Sequence, residues 1–169
     1  HLQAGAVLRN MYYKDEVEDK DRIVTGWGAS LSGIWQFAEN TSLCFQGVYG
    51  KGISNYIQDI SGSGLDLVPS TTAEGELKAF CAWGGYIGFS HNWNKVLTSN
   101  IMYSYARALD RYGMPATSYK YAQYAAANLF WDFSEYGSCA IEYVFGRRND
   151  FNKDYGNASR INTMIQYRF

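Results

Sequence analysis

Along most of this chain apolar side chains recur at every second residue, the period of β-strands with two unlike faces. In "RIVTGWGASLSGIWQF" (22–37), Ile23, Trp27, Ala29, Leu31, Trp35 and Phe37 share one phase, and Gly26, Gly28, Ser30, Ser32 and Gln36 share the other. Leu43, Phe45 and Tyr49 oppose Gln46 and Gly50 in the same way. A longer alternation sets Leu77, Ala79, Cys81, Trp83, Ile87 and Phe89 against Glu76, Lys78, Gly84, Tyr86 and Ser90. Ile101, Tyr103 and Tyr105 then oppose Asn100 and Ser104, while Ala125, Ala127, Leu129, Trp131 and Phe133 oppose Asn128 and Asp132. Ile141, Tyr143 and Phe145 face away from Glu142 and Arg148. The closing "RINTMIQYRF" carries the pattern to the last residue, with Ile161, Thr163, Ile165, Tyr167 and Phe169 against Arg160, Asn162, Met164, Gln166 and Arg168. With a first strand over 2–13, the pattern predicts about eight strands in an all-β, antiparallel arrangement.

Several of these strands reach the ~9–11 residues that a tilted membrane strand requires. They are long for a soluble sandwich. Short connections (38–42, 92–96, 134–138) alternate with longer polar ones (14–21, 59–72, 107–118, 147–158). Short turns on one rim and long loops on the other are expected of an outer-membrane barrel. Aromatic residues gather near strand ends, notably Trp35, Phe37, Trp131, Phe133, Tyr167 and Phe169. These are expected at the membrane interface, where amphipathic rings form a girdle. In hydrocarbon every backbone N–H and C=O needs a partner, so strands span only as a closed sheet. The last strand is therefore expected to stop abruptly because neighbours pair both its edges. The alternative for the aromatics is the core of a soluble sandwich, whose opposite face would not need Gly, Ser, Asn, Glu and Arg along strands of this length.

Composition sharpens this picture. The 169 residues (19.1 kDa) include 17 Gly, 15 Tyr, 9 Phe and 5 Trp beside 2 Pro, a mixture that favours strands over long helices. The length suits a single unit spanning 1–169. Mean hydropathy is -0.32, and no run approaches the ~20 apolar residues of a helical span. A formal net charge of -1, without basic clusters interleaved with aromatics, argues against nucleic acid as a partner. The beginning, "HLQAGAVLRN", has neither Met nor a basic and apolar leader, so an export signal is expected to lie upstream or to have been removed.

Candidate chemistry is sparse. Cys44, Cys81 and Cys139 are widely spaced and odd in number, which suits packing residues better than a disulfide framework, zinc or redox site. His1 is terminal and His91 sits beside a short turn; no GxSxG elbow is present. The carboxylates of "KDEVEDKD" could meet divalent cations and lipopolysaccharide, but Lys14 and Lys20 interrupt them, so a solvated loop is expected. We assign no catalytic residue, metal ligand or cofactor. The Gly/Ser-rich segment 61–75 has two readings, an external loop over the mouth or a disordered linker, and its Leu65, Leu67 and Val68 suit packing against a neighbouring protomer.

Taken together, "GWGASLSG" (26–33), "GVYGKGISNYIQD" (47–59), "GGYIGFSHNWNKVLTSNIMYSY" (84–105), "NLFWDFSEYGSCAIEYVFGRR" (128–148) and "SRINTMIQYRF" (159–169) resemble the C-terminal half of DcaP-like trimeric outer-membrane porins. The resemblance implies half of a barrel of about sixteen strands in a Gram-negative outer membrane. It further implies a homotrimer, contact with membrane lipid and lipopolysaccharide, and a terminal strand that the barrel-assembly machinery reads. The implied activity is passive diffusion of small hydrophilic, often anionic, solutes, with ion transport. Pore-lining candidates are Arg9, Lys78, Arg148, Arg160 and Arg168, with Glu76, Glu142, Asn162 and Gln166 as counterparts. Cationic rings would favour anions, or the arginines would brace the wall by pairing with Glu142 or Glu76.

Two features depart from the family: the N-terminal half is not in this sequence, and cysteines are uncommon in exported barrels. The other reading is a stand-alone, narrow eight-stranded outer-membrane barrel with an anchoring, adhesion or structural role. The small residues Gly26, Gly28, Ser30, Ser32, Gly84 and Gly88 weigh against it, since they suit a face bordering water or a plug.

Overall fold

The computed structural model describes residues 1–169. It contains ten strands: β1 (Leu2–Asp15), β2 (Lys20–Ala38), β3 (Thr41–Lys51), β4 (Leu67–Pro69), β5 (Leu77–Ala79), β6 (Cys81–Asn92), β7 (Leu97–Ala108), β8 (Tyr119–Asp132), β9 (Gly137–Asp150) and β10 (Tyr155–Tyr167). Eight of them form one antiparallel meander in the order β1-β2-β3-β6-β7-β8-β9-β10, and β4 pairs with β5 alone. The sheet is open. β1 and β10 each have one unpaired edge, so within this chain the last strand is held on one side, not the two expected.

Register converts the alternation into two continuous faces, because residues paired across antiparallel strands project to the same side. One row runs Gly28, Gly50, Ala82 and Ala108. The adjacent row runs Ala29, Tyr49, Trp83, Arg107 and Tyr121 on the opposite side. The first face is small and polar; the second is apolar and aromatic.

Two connections are tighter than the sequence suggests. The acidic stretch 14–21 is an extended β1–β2 hairpin closed at residues 16–19, and 147–158 is likewise strand on both sides of a turn at 151–154. Their charges pair locally, so the ladder continues through polar residues. Asp15 accepts the Val17 and Glu18 N–H groups and meets Arg22 Nε at 2.8 Å, while Lys14 meets Asp19 at 2.7 Å. The extra length appears as strand overhang, and the long connections are 52–80 and 109–118.

The alternation over 77–89 is interrupted at Phe80. β5 ends at Ala79 and β6 begins at Cys81, so Glu76 and Lys78 do not stand on a wall strand. The odd-numbered phase is unchanged across the break, which is why periodicity cannot reveal it. Phe80 is wholly buried; its N–H donates to Asp66 O (3.0 Å), and its carbonyl accepts the Gly52 N–H (2.8 Å). Gly52, at φ 67°, turns the chain out of β3 at the other end of the segment.

Residues 52–80 therefore form one folded insert, with 3₁₀ turns at Ser54–Tyr56 and Gln58–Ile60 followed by the β4–β5 hairpin. It lies on the small polar face. Its Ile53, Ile57, Ile60 and Val68 share a core with Phe80, Ala82, Ala106, Ala108, Met114 and Tyr119. Val68 is buried and Leu65 packs against the same cluster; of the two readings of 61–75 the folded loop is the one seen, not the linker, and Leu65 and Val68, two of the three residues expected to suit a neighbouring protomer, are taken up within the chain's own core. Burying a side chain such as Ile53, Val68 or Phe80 is worth about 1.5–3 kcal/mol.

Candidate functional site

The insert rests on small residues of the sheet. A Cβ at Gly28 would stand 2.8 Å from Ile53 Cγ2, and one at Gly84 3.2 Å from Ile57 Cγ2. Alanines 82, 106 and 108 complete the seat. The run of small residues on this face is thus explained in part by what rests on it, since close packing leaves no room for a larger side chain.

Polar bonds then fix the insert to the wall at separate points. Arg9, on β1, donates from Nη1 to Asp66 Oδ2 at 2.9 Å and to the Gly52 carbonyl at 3.2 Å. Asp66 also accepts the Ser54 hydroxyl (2.7 Å) and the Asn55 amide (3.0 Å). The Tyr119 hydroxyl, on β8, donates to Asp59 at 2.6 Å. Tyr13, on β1, receives the Leu77 N–H at 3.0 Å. Charge-assisted bonds such as those to Asp66 are the stronger kind. Asp59, Asp66, Ser54 and Tyr119 escaped the sequence reading. They lie outside the alternating segments or at their ends, and only the folded insert brings them to their partners.

Farther along the same face a second polar feature crosses four strands. Asn100 on β7 donates to Asn128 on β8 (2.7 Å), and Asn128 approaches Glu142 on β9 at 3.4 Å. Asn162 on β10 donates to the other Glu142 oxygen at 2.8 Å. The register places all four in one row, so their amides and carboxylate form a transverse ladder. Glu142 is therefore held by amides, not by an arginine.

The sequence candidates separate into distinct environments. Arg9 is engaged by the insert, and Arg148 bonds Asp150 at 2.9 Å while lying over the Tyr119 ring. Lys78 Nζ meets Thr72 Oγ1 at 3.0 Å, and Thr72 approaches Glu76 at 3.4 Å, both on the insert. Arg160 pairs in register with Val144 on the polar face and forms no ion pair. Gln166 sits two pairs beyond Met164 toward the short-turn rim, opposite Ser138. Arg168 lies past the end of β10 and lines a rim pocket of about 360 Å³ with Lys95, Asp132 and Glu135. No arginine pairs with Glu142 or Glu76, so wall-bracing in that form does not occur.

On the opposite face the aromatics fall into two bands. Trp35 and Phe37 (ring centroids 5.7 Å apart), Trp131 and Phe133 (5.9 Å) and Tyr136 and Tyr167 (6.4 Å) gather at the short-turn rim, with the exposed Phe169 beyond them. Trp27 and Tyr49 (5.7 Å), Trp83 and Tyr105 (5.1 Å) and Tyr105 and Tyr121 (5.5 Å) form the other band. Trp27 and Trp35 stand on one strand with Ala29, Leu31 and Gly33 between them on the same side. At ~3.3 Å per residue they are ~26 Å apart along β2, which would be ~20 Å along the axis of a barrel with strands tilted by ~40°. Ile87, Ile101 and Ile141, all about half exposed, occupy the interval.

A sheet with one polar face carrying a seated insert and one apolar face bounded by two aromatic bands has the two-sided pattern of a membrane-barrel wall. The chain superposes on the crystal structure of the outer membrane channel DcaP of Acinetobacter baumannii with a TM-score of 0.76. It has the fold of about half of that channel. The match covers 99% of this chain and 47% of the channel's chain at 20% sequence identity. The resemblance seen in the sequence is thus matched in the structure. The sequence matches no protein-family model and no curated protein.

Proposed function

We propose that this chain forms part of the wall of an outer-membrane porin through which small hydrophilic solutes diffuse passively. The observation that carries the reading is the seating of the insert 52–80 on the polar face, opposite a face that exposes mainly apolar side chains between two aromatic borders. An insert folded against one wall narrows a lumen without sealing it, and beside it the face presents Asn, Gln, Glu and Arg to water.

The open edges of β1 and β10 support completion by further strands, since unpaired N–H and C=O groups are costly in hydrocarbon. About eight more strands, as in a barrel of about sixteen, would pair both edges. The narrow stand-alone barrel is disfavoured because eight strands enclose room only for side chains. Here the polar face holds a folded segment with its own core. Solute charge follows from the unpaired cation Arg160, which would favour anions near it, while Glu142 opposes it. A trimeric assembly in a Gram-negative outer membrane completes the reading.

Planar-bilayer recording of the intact protein that contains this chain tests it. Stable conductance steps are expected. A folded, membrane-inserted protein that passes no current would replace the porin reading with an anchoring or structural one.

A further inference from the structure

Beyond the pore, the apolar face carries three cations whose placement is unexplained by the wall. Lys51, Arg107 and Arg147 all project to that side: Lys51 pairs with Trp27 and Cys81, Arg107 with Trp83 and Tyr121, and Arg147 with Gln123. None has a carboxylate within ion-pair distance. Arg147 bonds Asn149 (3.0 Å) and lies over the Tyr155 ring at 4.3 Å. Lys51 and Arg107 are exposed.

Register shows that the three stand on one line. From Lys51 the path crosses to Cys81, moves two residues to Trp83 and crosses to Arg107. From Arg107 it crosses to Tyr121, moves two residues to Gln123 and crosses to Arg147. Both steps cover two strands and two residues, about 12 Å at ~4.8 Å per strand and ~3.3 Å per residue. The opposite rim descends at the same rate: Trp131 crosses to Cys139 and Ile165, and two residues on lies Tyr167. The cation line thus runs parallel to the lower aromatic band. It lies immediately beyond the upper band of Trp27, Tyr49, Trp83 and Tyr105.

The surroundings are selective in charge. Neighbouring outward positions near this line are Asn10, Thr25, Tyr121, Asn149 and Asn157, with no carboxylate among them. The corresponding line at the short-turn rim, through Trp35, Trp131 and Tyr167, carries no Lys or Arg. A cation just beyond an interfacial aromatic sits at headgroup depth. Unpaired cations there attract anionic groups from the surface of the leaflet.

We infer that Lys51, Arg107 and Arg147 form a docking line for the phosphates of a bisphosphorylated outer-leaflet glycolipid, its acyl chains lying on the aromatic face below. The inference rests on the reading that this face meets lipid and that the 52–80 and 109–118 rim is extracellular. Repeated cations about 12 Å apart suit a headgroup bearing two separated phosphates better than a single phosphodiester. Below the line the surface is recessed at Gly47, where a Cβ would meet nothing within 4 Å, and at Ala29 and Gly85, between the rings of Tyr49, Trp83 and Tyr105.

The test is native mass spectrometry of the intact protein in detergent, titrated with bisphosphorylated lipid A, its dephosphorylated form and phosphatidylglycerol. Lipid A adducts are expected on the unaltered protein, and the Lys51→Gln, Arg107→Gln, Arg147→Gln triple variant is expected to bind it about a hundredfold more weakly. Lys95→Gln, at the other rim, should bind as the unaltered protein does. Heat-modifiable mobility and unchanged conductance would show that the triple variant is folded and inserted. Undiminished lipid A binding by such a variant overturns the inference, as does equal, equally variant-sensitive binding of phosphatidylglycerol or of dephosphorylated lipid A. A protein that stays soluble and folded without detergent overturns the orientation beneath it instead, which separates the two failures.

Discussion

Arg9 and Asp66 meet at 2.9 Å across the space between a wall strand and the insert, with Asp66 bonded also by Ser54 and Asn55. Both side chains are largely shielded from water. Removing either leaves the other short of partners, at a cost of about 1–3 kcal/mol. Asp66→Ala is therefore expected to loosen the insert, raising single-channel conductance and its noise. Arg9→Ala should act in the same direction, and the double variant should fall short of the sum because both remove one contact. Conductance and noise identical to the unaltered protein would show that this pair does not hold a constriction.

A steric counterpart lies at Gly28, where any added side chain would press on Ile53. Overpacking of this kind costs about 1–3 kcal/mol. Gly28→Val is expected to lift the insert and make Lys78 accessible to trypsin in the folded protein. Gly156→Val, where a Cβ meets nothing within 4 Å, serves as control and should leave cleavage unchanged. Equal resistance of both variants to trypsin would contradict the seating.

Arg160 is the clearest test of ion preference, since no carboxylate neutralises it. Arg160→Glu reverses a charge on the polar face, and should move the zero-current potential in a salt gradient toward cation preference. Arg168→Glu, at the short-turn rim, is expected to have the smaller effect because rim charges are screened over about 10 Å at 0.1 M salt. An unmoved potential in Arg160→Glu would remove it from the selectivity-determining set.

Depth on the apolar face can be read from charge insertion. Ile87 lies between the two aromatic bands on strand β6. Ile87→Arg should cost about 2–4 kcal/mol in urea titrations of folding into lipid vesicles, whereas Asn10→Arg, near the rim, should cost about 0–1. Equal costs at the two positions would be incompatible with a lipid-facing band.

Several elements were legible because their cause is local. An alternating run such as 22–37 states which side chains share a face, whatever lies beside it, and the short connections 38–42, 92–96 and 134–138 mark where neighbouring strands turn back on each other. Glu142, Asn162 and Arg160 were placed on the polar face for the same reason. Phe80 was not legible as a break, because a strand that stops and restarts in the same phase leaves its periodicity intact. Nor were the partners of Asp66 and Asp59, which belong to residues far away in sequence.

The sequence by itself determined two unlike faces, a meander of long strands and aromatic borders, since each depends on the strand's period of two. Tertiary structure alone decided that 52–80 turns onto the polar face, that Arg9 and Tyr119 secure it, and that Lys51, Arg107 and Arg147 fall on one line. Those relations depend on register between strands and on close approach across the sheet, and neither distance is encoded in any single stretch of chain.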